Sequence, residues 1–207
     1  METSKIQNFL PLGYLFLVII GILKETVFFY QIGIPILKYA SIIDILISPI
    51  ATITSHVYIL LFIIVLFYLC FNMPVFLVKY RAKPWIQKAF KIDQKVFDLP
   101  VKERHDFLVF YAIKWLAVFL VSFFLGFGIA DGSTFANRIK NNKLDFNYKV
   151  NYSSGETEVI SIISSNSSYY FYVSKGSKNI KIAPVGAIKY IEFINNKRLN
   201  VSIISKL

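Results

Sequence analysis

The sequence has few of the residues that build catalytic, metal or disulfide sites. Its 207 residues include one cysteine, Cys70, and two histidines, His56 and His105. A single cysteine permits no disulfide within one chain and no zinc cluster. The sequence also lacks an H-E-x-x-H pair, a phosphate-binding glycine loop and a G-x-S-x-G nucleophile motif. These absences predict a protein that is not an enzyme and that has no catalytic residue, metal or cofactor site.

Acidic residues are also scarce, with 12 Asp and Glu against 23 Lys and Arg, and charge is nearly absent from three long apolar runs. Residues 57–78 contain no charge, and residues 107–130 contain only Lys114. As helices these runs would be about 33 and 36 Å long, enough to cross a hydrocarbon core of about 30 Å. We expect transmembrane helices over about 9–30, 57–78 and 107–130, within a transmembrane domain of residues 1–130. The abundance of Ile, Lys and Asn favours a bacterial inner (cytoplasmic) membrane.

The segment 31–55 is apolar but interrupted by glycine, proline and charge, at Gly33, Pro35, Lys38, Asp44 and Pro49. Its uninterrupted pieces are short for a span, so we predict a re-entrant or interfacial helix over about 37–47. A further span is the alternative. Glu25, Lys38 and Asp44 are then the intramembrane polar residues, either as an ion pair of Lys38 with Asp44 or Glu25, or in a conduction path.

The loop 79–106 is strongly basic, with eight Lys and Arg against four Asp and Glu. Such short loops stay in the cytoplasm. Between Pro84 and Pro100 the apolar residues recur at helical spacing opposite a row of lysines, which predicts a basic amphipathic helix. It is expected to contact anionic lipid headgroups or a partner through Trp85, Lys88, Phe90, Lys91, Lys95 and Phe97. Nucleic-acid contact is a third possibility.

After residue 130 the composition changes to Ser, Asn, Lys and β-branched residues. We predict a linker over 131–145 and a β-domain over 146–207. The predicted strands are Phe146–Tyr152, Glu158–Ile163, Tyr169–Val173, Asn179–Ile182, Ile188–Phe193 and Asn200–Ile204. They indicate a small antiparallel domain of SH3-like or Sm-like size. Its tyrosines alternate with lysines, as in single-strand nucleic-acid platforms, but such rings are equally the core of a small sheet, so direct nucleic-acid binding is not expected.

Charge gives two conflicting indications of the side of the β-domain. Three spans with a cytoplasmic loop 79–106 place this domain on the opposite side of the membrane. Residues 131–207, however, contain eleven basic against five acidic residues, which favours the cytoplasm. The loop has more charge near its membrane ends, and we therefore keep the loop inside.

The run LPLGYLFLVIIGILKETVFFYQIGIPILKYASIIDILISPI, the Lys-rich loop with KPW and the segment SSYYFYVSKGSKNIKIAPVGAIKYIEF give the chain a distinctive layout. This layout resembles small multi-pass membrane accessory proteins of bacterial type VI-B CRISPR defence loci. The resemblance implies a regulatory component of antiphage defence that acts with an RNA-guided nuclease, and a cytoplasmic β-domain. We expect a self-associating, non-enzymatic accessory protein. The alternative is an oligomeric pore or channel gated by the β-domain.

Overall fold

A computed structural model of the protein describes residues 3–81, 83–84, 86, 90 and 92–194. The described residues form two compact units. Unit 1 draws on Met1–Ile47 and Phe127–Leu207, and unit 2 is Ser48–Gly126. Unit 1 is therefore built from two segments that are far apart in sequence, whereas unit 2 is one continuous segment.

Four α-helices lie in the described part of the chain. They are α1 (Thr3–Gln31), α2 (Ile42–Ser55), α3 (Val57–Lys79) and α4 (Val101–Lys140). Three of them, α1, α3 and α4, are long and apolar enough to cross a membrane. Many large apolar side chains on these helices are not covered by other parts of the protein, among them Leu61, Tyr68, Phe71 and Phe110. Their length and composition agree with the prediction of three spans in a membrane protein.

Helix α4 is longer than the predicted third span at both ends. It begins directly after Pro100 and continues to Lys140, so residues 131–140 are helical and the predicted linker 131–145 is wrong over most of its length. Within this continuation the hydroxyls of Ser133 and Thr134 donate hydrogen bonds to the Ala130 carbonyl, at 3.0 and 2.7 Å, so the helix backbone accepts from both polar side chains. The helix stops where Asn142 adopts a positive φ of 53°, a conformation common just after helix ends.

The segment after α1 contains a 3₁₀ turn, Ile36–Lys38, followed by α2. With 14 residues α2 is about 21 Å long, shorter than a hydrocarbon core. It begins later and ends later than the predicted helix over 37–47. Only His56, in an extended conformation, separates α2 from α3.

The predicted amphipathic helix in the loop 79–106 is not continuous. Ile92 and Asp93 are not helical, and a separate 3₁₀ turn follows at Gln94–Asp98. Asp93 causes this change because its carboxylate accepts a hydrogen bond from the Lys95 backbone N–H at 3.0 Å and so begins a new turn. The single helix predicted up to Phe97 was therefore wrong over its second half.

The chain then forms the predicted antiparallel sheet of short strands. The strands are β1 (Tyr148–Tyr152), β2 (Thr157–Ser165), β3 (Tyr169–Ser174), β4 (Ile180–Pro184) and β5 (Ile188–Phe193). Their order is β4-β3-β2-β1-β5, with a 3₁₀ turn, Val185–Ala187, between β4 and β5. The predicted strand Asn200–Ile204 lies outside the described residues.

Both faces of the sheet bury apolar side chains. Val150, Ile160, Tyr172 and Ala183 form a core on one face. The other face contributes Ile163, Phe171 and Val173 to a core shared with the helices of unit 1. Ile163 belongs to this second core because successive side chains of a strand point to opposite faces, and its neighbour Ile162 packs on the first core.

Candidate functional site at the junction of helices and sheet

The junction in unit 1 begins with a close contact between α1 and the last part of α4. A Cβ atom at Gly128 would lie 2.8 Å from the Lys24 carbonyl oxygen, and one at Gly132 would lie 2.5 Å from that of Phe28. A step of four residues along α4 thus matches a step of four along α1, so the two helices run parallel here. Glycines four residues apart permit this approach because they have no side chain between the backbones.

Gly21 brings α2 equally close to α1. A Cβ atom there would collide with the backbone carbonyl of Ile45. Helix α1 therefore has close backbone contacts on two of its surfaces, one with α2 and one with α4.

Aromatic side chains connect the ends of these helices to the sheet. The Phe28 ring lies 6.0 Å from that of Phe135 in α4, and the Phe29 ring lies 5.0 Å from that of Phe171 in β3, both edge to face. Tyr39 contacts Phe171 from the segment before α2, with ring centroids 6.1 Å apart. Phe29 and Phe171 are fully buried, so the sheet packs on the helices through a dry aromatic core.

Polar groups beside this core join α2 to the turn between β2 and β3. Ser41 and Asp44 form a capping box: Asp44 Oδ2 accepts from the Ser41 N–H and hydroxyl at 2.9 and 2.7 Å, and Ser41 Oγ accepts from the Asp44 N–H at 3.1 Å. The same carboxylate accepts from the Ser167 N–H and hydroxyl, both at 3.0 Å. The Asp44 carboxylate therefore caps the N-terminus of α2 and also hydrogen-bonds the β2–β3 turn of the sheet.

Asn166 strengthens the same contact from the sheet side. Its amide nitrogen donates to the Tyr39 carbonyl at 3.1 Å, while its Oδ1 accepts from the N–H groups of Ser168 and Tyr169 at 3.0 and 2.7 Å. The β2–β3 turn is thus shaped and attached by one side chain.

Partial burial acts to raise the pKa of the Asp44 carboxyl, but the hydrogen bonds from Ser41 and Ser167 outweigh it. The net effect is a pKa below its ordinary value of 3.8. Asp44 is therefore ionised at neutral pH, which strengthens all four hydrogen bonds that it accepts.

A second polar cluster lies on the other face of the sheet. Glu158 accepts hydrogen bonds from Lys181 at 2.7 Å, from Ser174 at 2.7 Å and from the Tyr152 hydroxyl at 3.3 Å. The Tyr152 and Tyr172 hydroxyl oxygens are 2.5 Å apart. Tyr152, Glu158, Tyr172 and Lys181 line a cleft of about 410 Å³ together with Glu156 and the turn after β1.

The polar side chains in this cleft hydrogen-bond one another. The hydrogen bond from Lys181 lowers the pKa of Glu158, and the reciprocal bond raises the pKa of Lys181. Burial and the neighbouring Tyr172 raise the pKa of Tyr152, so its hydroxyl stays protonated. The cleft thus contains a carboxylate and an ammonium that neutralise each other, and no activated nucleophile. Elsewhere in the described residues, no group of three or more His, Cys, Asp and Glu could hold a metal ion.

The three predicted intramembrane polar residues have different environments. Glu25 pairs with its neighbour Lys24 at 2.9 Å, with both side chains largely buried. Lys38 is exposed and forms no ion pair with a described residue, so the expected pair of Lys38 with Asp44 or Glu25 is wrong. Asp44 instead accepts its bonds from serines. Whether the three residues lie at membrane depth stays a prediction.

Of the predicted contact residues in the basic loop, Trp85, Lys88 and Lys91 lie outside the described residues. Phe90 is half-buried, with its ring 5.9 Å from that of Trp115 and its carbonyl accepting from the Tyr111 hydroxyl. Phe97 is buried, which leaves little of its surface for a lipid or a partner, whereas Lys95 is exposed. The contact of this loop with lipid or a partner stays a prediction.

The chain matches no protein-family model, no characterised protein and no solved structure. The resemblance to accessory proteins of type VI-B CRISPR loci therefore stays a prediction. The arguments about function rest on the geometry of the chain itself.

Two sequence signals for this junction were missed. Gly128 and Gly132 have the four-residue spacing of close helix contacts, but the predicted third span ended at Ala130 and separated them. Ser41 and Asp44 have the spacing of a capping box, but Asp44 was interpreted only as a charge at membrane depth. No signal in the sequence identifies Ser167 as the second partner of Asp44.

Proposed function

We propose that the protein is a non-enzymatic integral membrane protein that acts as an accessory or regulatory component of the bacterial inner membrane. The observation that carries this proposal is the junction in unit 1, where one sheet is attached to α1, α2 and α4. Such a junction suits a protein that transmits a binding event at the sheet to its membrane helices, because packed cores shift as units rather than deform continuously.

The junction has three independent kinds of contact, and each supports this role. Gly128 and Gly132 bring helix backbones together, Phe29 and Phe171 bury a ring pair, and Asp44 bonds the β2–β3 turn. A flexible tether would need none of them. The sheet and the helix ends of unit 1 should therefore move together.

We propose further that the loop 79–106 is cytoplasmic and that the sheet lies on the opposite side. The basic charge of the loop supports its cytoplasmic side. The parallel contact of α1 with α4 supports a shared direction of these two helices across the membrane. Both then deliver their C-terminal ends to the side of the sheet. An odd number of spans between the N-terminus and the sheet agrees with this arrangement.

The resemblance to CRISPR accessory proteins suggests the biological system in which the protein would act. It implies antiphage defence together with an RNA-guided nuclease. We separately propose that the protein forms a homo-oligomer in the membrane. The resemblance favours a cytoplasmic sheet, in conflict with the topology above. A nuclease could then act with this protein only through the basic loop or an intermediary.

An oligomeric pore is the second candidate. It is favoured by the same junction, since a sheet attached to α1 and α4 could open or close a conduit between copies. The spans also keep much apolar surface, on residues such as Leu61 and Phe71, that lipid or another copy must cover.

Phage challenge with a matched pair of variants tests the accessory role. Cells carrying a type VI-B ribonuclease would express the wild type, Gly132→Leu or Gly126→Leu; a Cβ at Gly132 meets the Phe28 backbone, whereas at Gly126 it meets nothing within 4 Å. We expect the wild type and Gly126→Leu to alter phage plating only with the ribonuclease present, and Gly132→Leu to have no effect. An unchanged plating efficiency with the wild type would contradict the defence role.

Purified protein in liposomes tests the pore. Single-channel conductance together with ring-shaped oligomers would support the pore and overturn the accessory role. Intact liposomes with no conductance at the same protein density would exclude the pore.

A further inference from the structure

A crevice of about 320 Å³ lies in unit 2 where α3 ends and α4 begins. Its apolar wall is made by Val75 and Val78 of α3 and by Val101 and Leu108 of α4. Val75 and Val101 are 69% and 73% exposed, so this wall has apolar surface that the described part of the chain does not cover. A groove of this composition at the end of a membrane span suits a hydrocarbon chain.

The rest of the lining is basic. Lys79, Arg104 and His105 line the same crevice, and none of its lining residues is acidic. Lys79 and Arg104 are each one helical turn from an apolar lining residue, Val75 and Leu108, which lie further into the spans. The two basic residues therefore lie between this deeper apolar part of the crevice and Val101, the first residue of α4.

Arg104 is held in place for binding an anion. Its Nη1 donates to the Phe97 carbonyl at 3.0 Å, and this bond uses one of the five N–H donors of the guanidinium. The residue is only half-exposed, so the remaining donors are oriented by the fold. Lys79 lies near the face of Tyr80, with its Nζ 5.4 Å from the ring centroid.

We infer that this crevice binds one anionic phospholipid, with an acyl chain along Val75, Val78 and Leu108 and the phosphate between Lys79 and Arg104. Charge complementarity selects this occupant, because a zwitterionic lipid carries a cation that Lys79 and Arg104 would repel. The site rests on the proposed membrane location, since α3 and α4 must end in a membrane, but it does not depend on the accessory or regulatory role.

Competition between lipids measured by native mass spectrometry tests the site. The intact protein would be released from nanodiscs containing equal amounts of phosphatidylglycerol and phosphatidylcholine with the same acyl chains. We expect the wild type to keep phosphatidylglycerol preferentially. The double variant Lys79→Gln/Arg104→Gln should lower that preference about 25-fold, since each basic residue at a membrane surface contributes about a factor of five to anionic lipid binding.

Two controls separate the crevice from general charge. Lys175→Gln/Lys189→Gln removes the same charge from exposed positions on the sheet and should leave the lipid ratio unchanged. Val78→Trp keeps every charge but fills the groove, so it should lower bound phosphatidylglycerol while leaving the chain monodisperse in size-exclusion chromatography.

Three results would overturn the inference. Equal retention of the two lipids by the wild type would exclude selectivity. An equal loss of the lipid preference in Lys79→Gln/Arg104→Gln and in Lys175→Gln/Lys189→Gln would show that the preference comes from net charge. A change of oligomer mass in Val78→Trp without a change of lipid ratio would show that a second copy of the chain covers the crevice.

Discussion

Asp44 joins two parts of unit 1 through a single carboxylate. It completes the capping box at the start of α2 and accepts two hydrogen bonds from Ser167. An ion pair with Lys38 was one of the two roles predicted for Asp44, but serine hydroxyls and backbone N–H groups stabilise its carboxylate instead. Hydrogen bonds to an ionised acceptor serve the same purpose as an ion pair.

Replacing Asp44 by alanine should destabilise the junction. The variant Asp44→Ala loses the cap and leaves the Ser167 N–H without its acceptor, so we expect the free energy of unfolding to fall by about 1–2 kcal/mol. Thermal unfolding in detergent, followed by circular dichroism, measures this. Asp145→Asn, at an exposed position, is the matched control and should unfold like the wild type. Equal midpoints for the two variants would contradict a structural role of Asp44.

The pair Glu158–Lys181 should make the sheet sensitive to acid. The folded pKa of Glu158 is below its ordinary value of 4.5, so its contribution is present above pH 4.5 and is lost as the pH falls through the folded value. The pKa of Lys181 is raised above 10.5, so its contribution is lost only as the pH rises beyond that value.

The variant Glu158→Gln tests this linkage. We expect it to have a lower unfolding temperature than the wild type at pH 7, and the difference should shrink as the pH falls through the folded pKa of Glu158, which lies below 4.5. A difference that stays constant from pH 7 to pH 3 would show that the ion pair does not stabilise the sheet.

At the scale of elements, the contact between α1 and α4 depends on the absence of side chains. Gly132→Ala places a methyl group against the Phe28 carbonyl and should destabilise unit 1 by about 1–3 kcal/mol. Gly126→Ala lies in the same helix with nothing within 4 Å of the new methyl group, so it should be neutral or stabilising by up to about 1 kcal/mol. Thermal unfolding of the two variants measures the difference, and the opposite ranking would rule out the close contact.

The elements differ in how far their sequence predicts them. The bounds of helix α3 were predicted within one residue at each end, because polar residues, His56 and Lys79, mark both ends of its uninterrupted apolar run. Strand β5 was also predicted with its observed bounds, since the turn around Gly186 marks its start. Residues 131–140 were predicted as a linker because their polar composition favours a loop. Packing of Gly132 and Phe135 on α1 determines their helical state instead, and such packing has no local signature.

The candidate site was harder to predict than the helices and strands. Its residues come from α1, α2, α4 and the β2–β3 turn, and Asp44 and Ser167 are 123 residues apart. Periodicity and composition are local properties, so they could mark Asp44 as unusual but could not identify its partner. The tertiary contact alone specifies that pair.

At the scale of the whole molecule, the proposed topology predicts which positions a membrane-impermeant thiol reagent can reach. In a Cys70→Ser background, a cysteine in place of exposed Lys175 should be labelled in intact cells. A cysteine in place of exposed Lys95 should be labelled only in inverted vesicles. Labelling of position 175 only in inverted vesicles would place the sheet in the cytoplasm and favour the CRISPR-linked accessory role. The unsubstituted background is the control for non-specific labelling.

The two-segment construction of unit 1 has a consequence for the order in which the protein assembles during synthesis. The first segment, with Gly21, Phe29 and Asp44, leaves the ribosome long before Gly132 and Ser167 have been made, whereas unit 2 is complete once residue 126 has emerged. Contacts across so long a loop form late because the closure entropy must be overcome first. We expect α1 to insert in the bilayer before α4 and the sheet can pack on it. Nascent chains arrested before the sheet has been made should therefore be recognised by quality-control proteases.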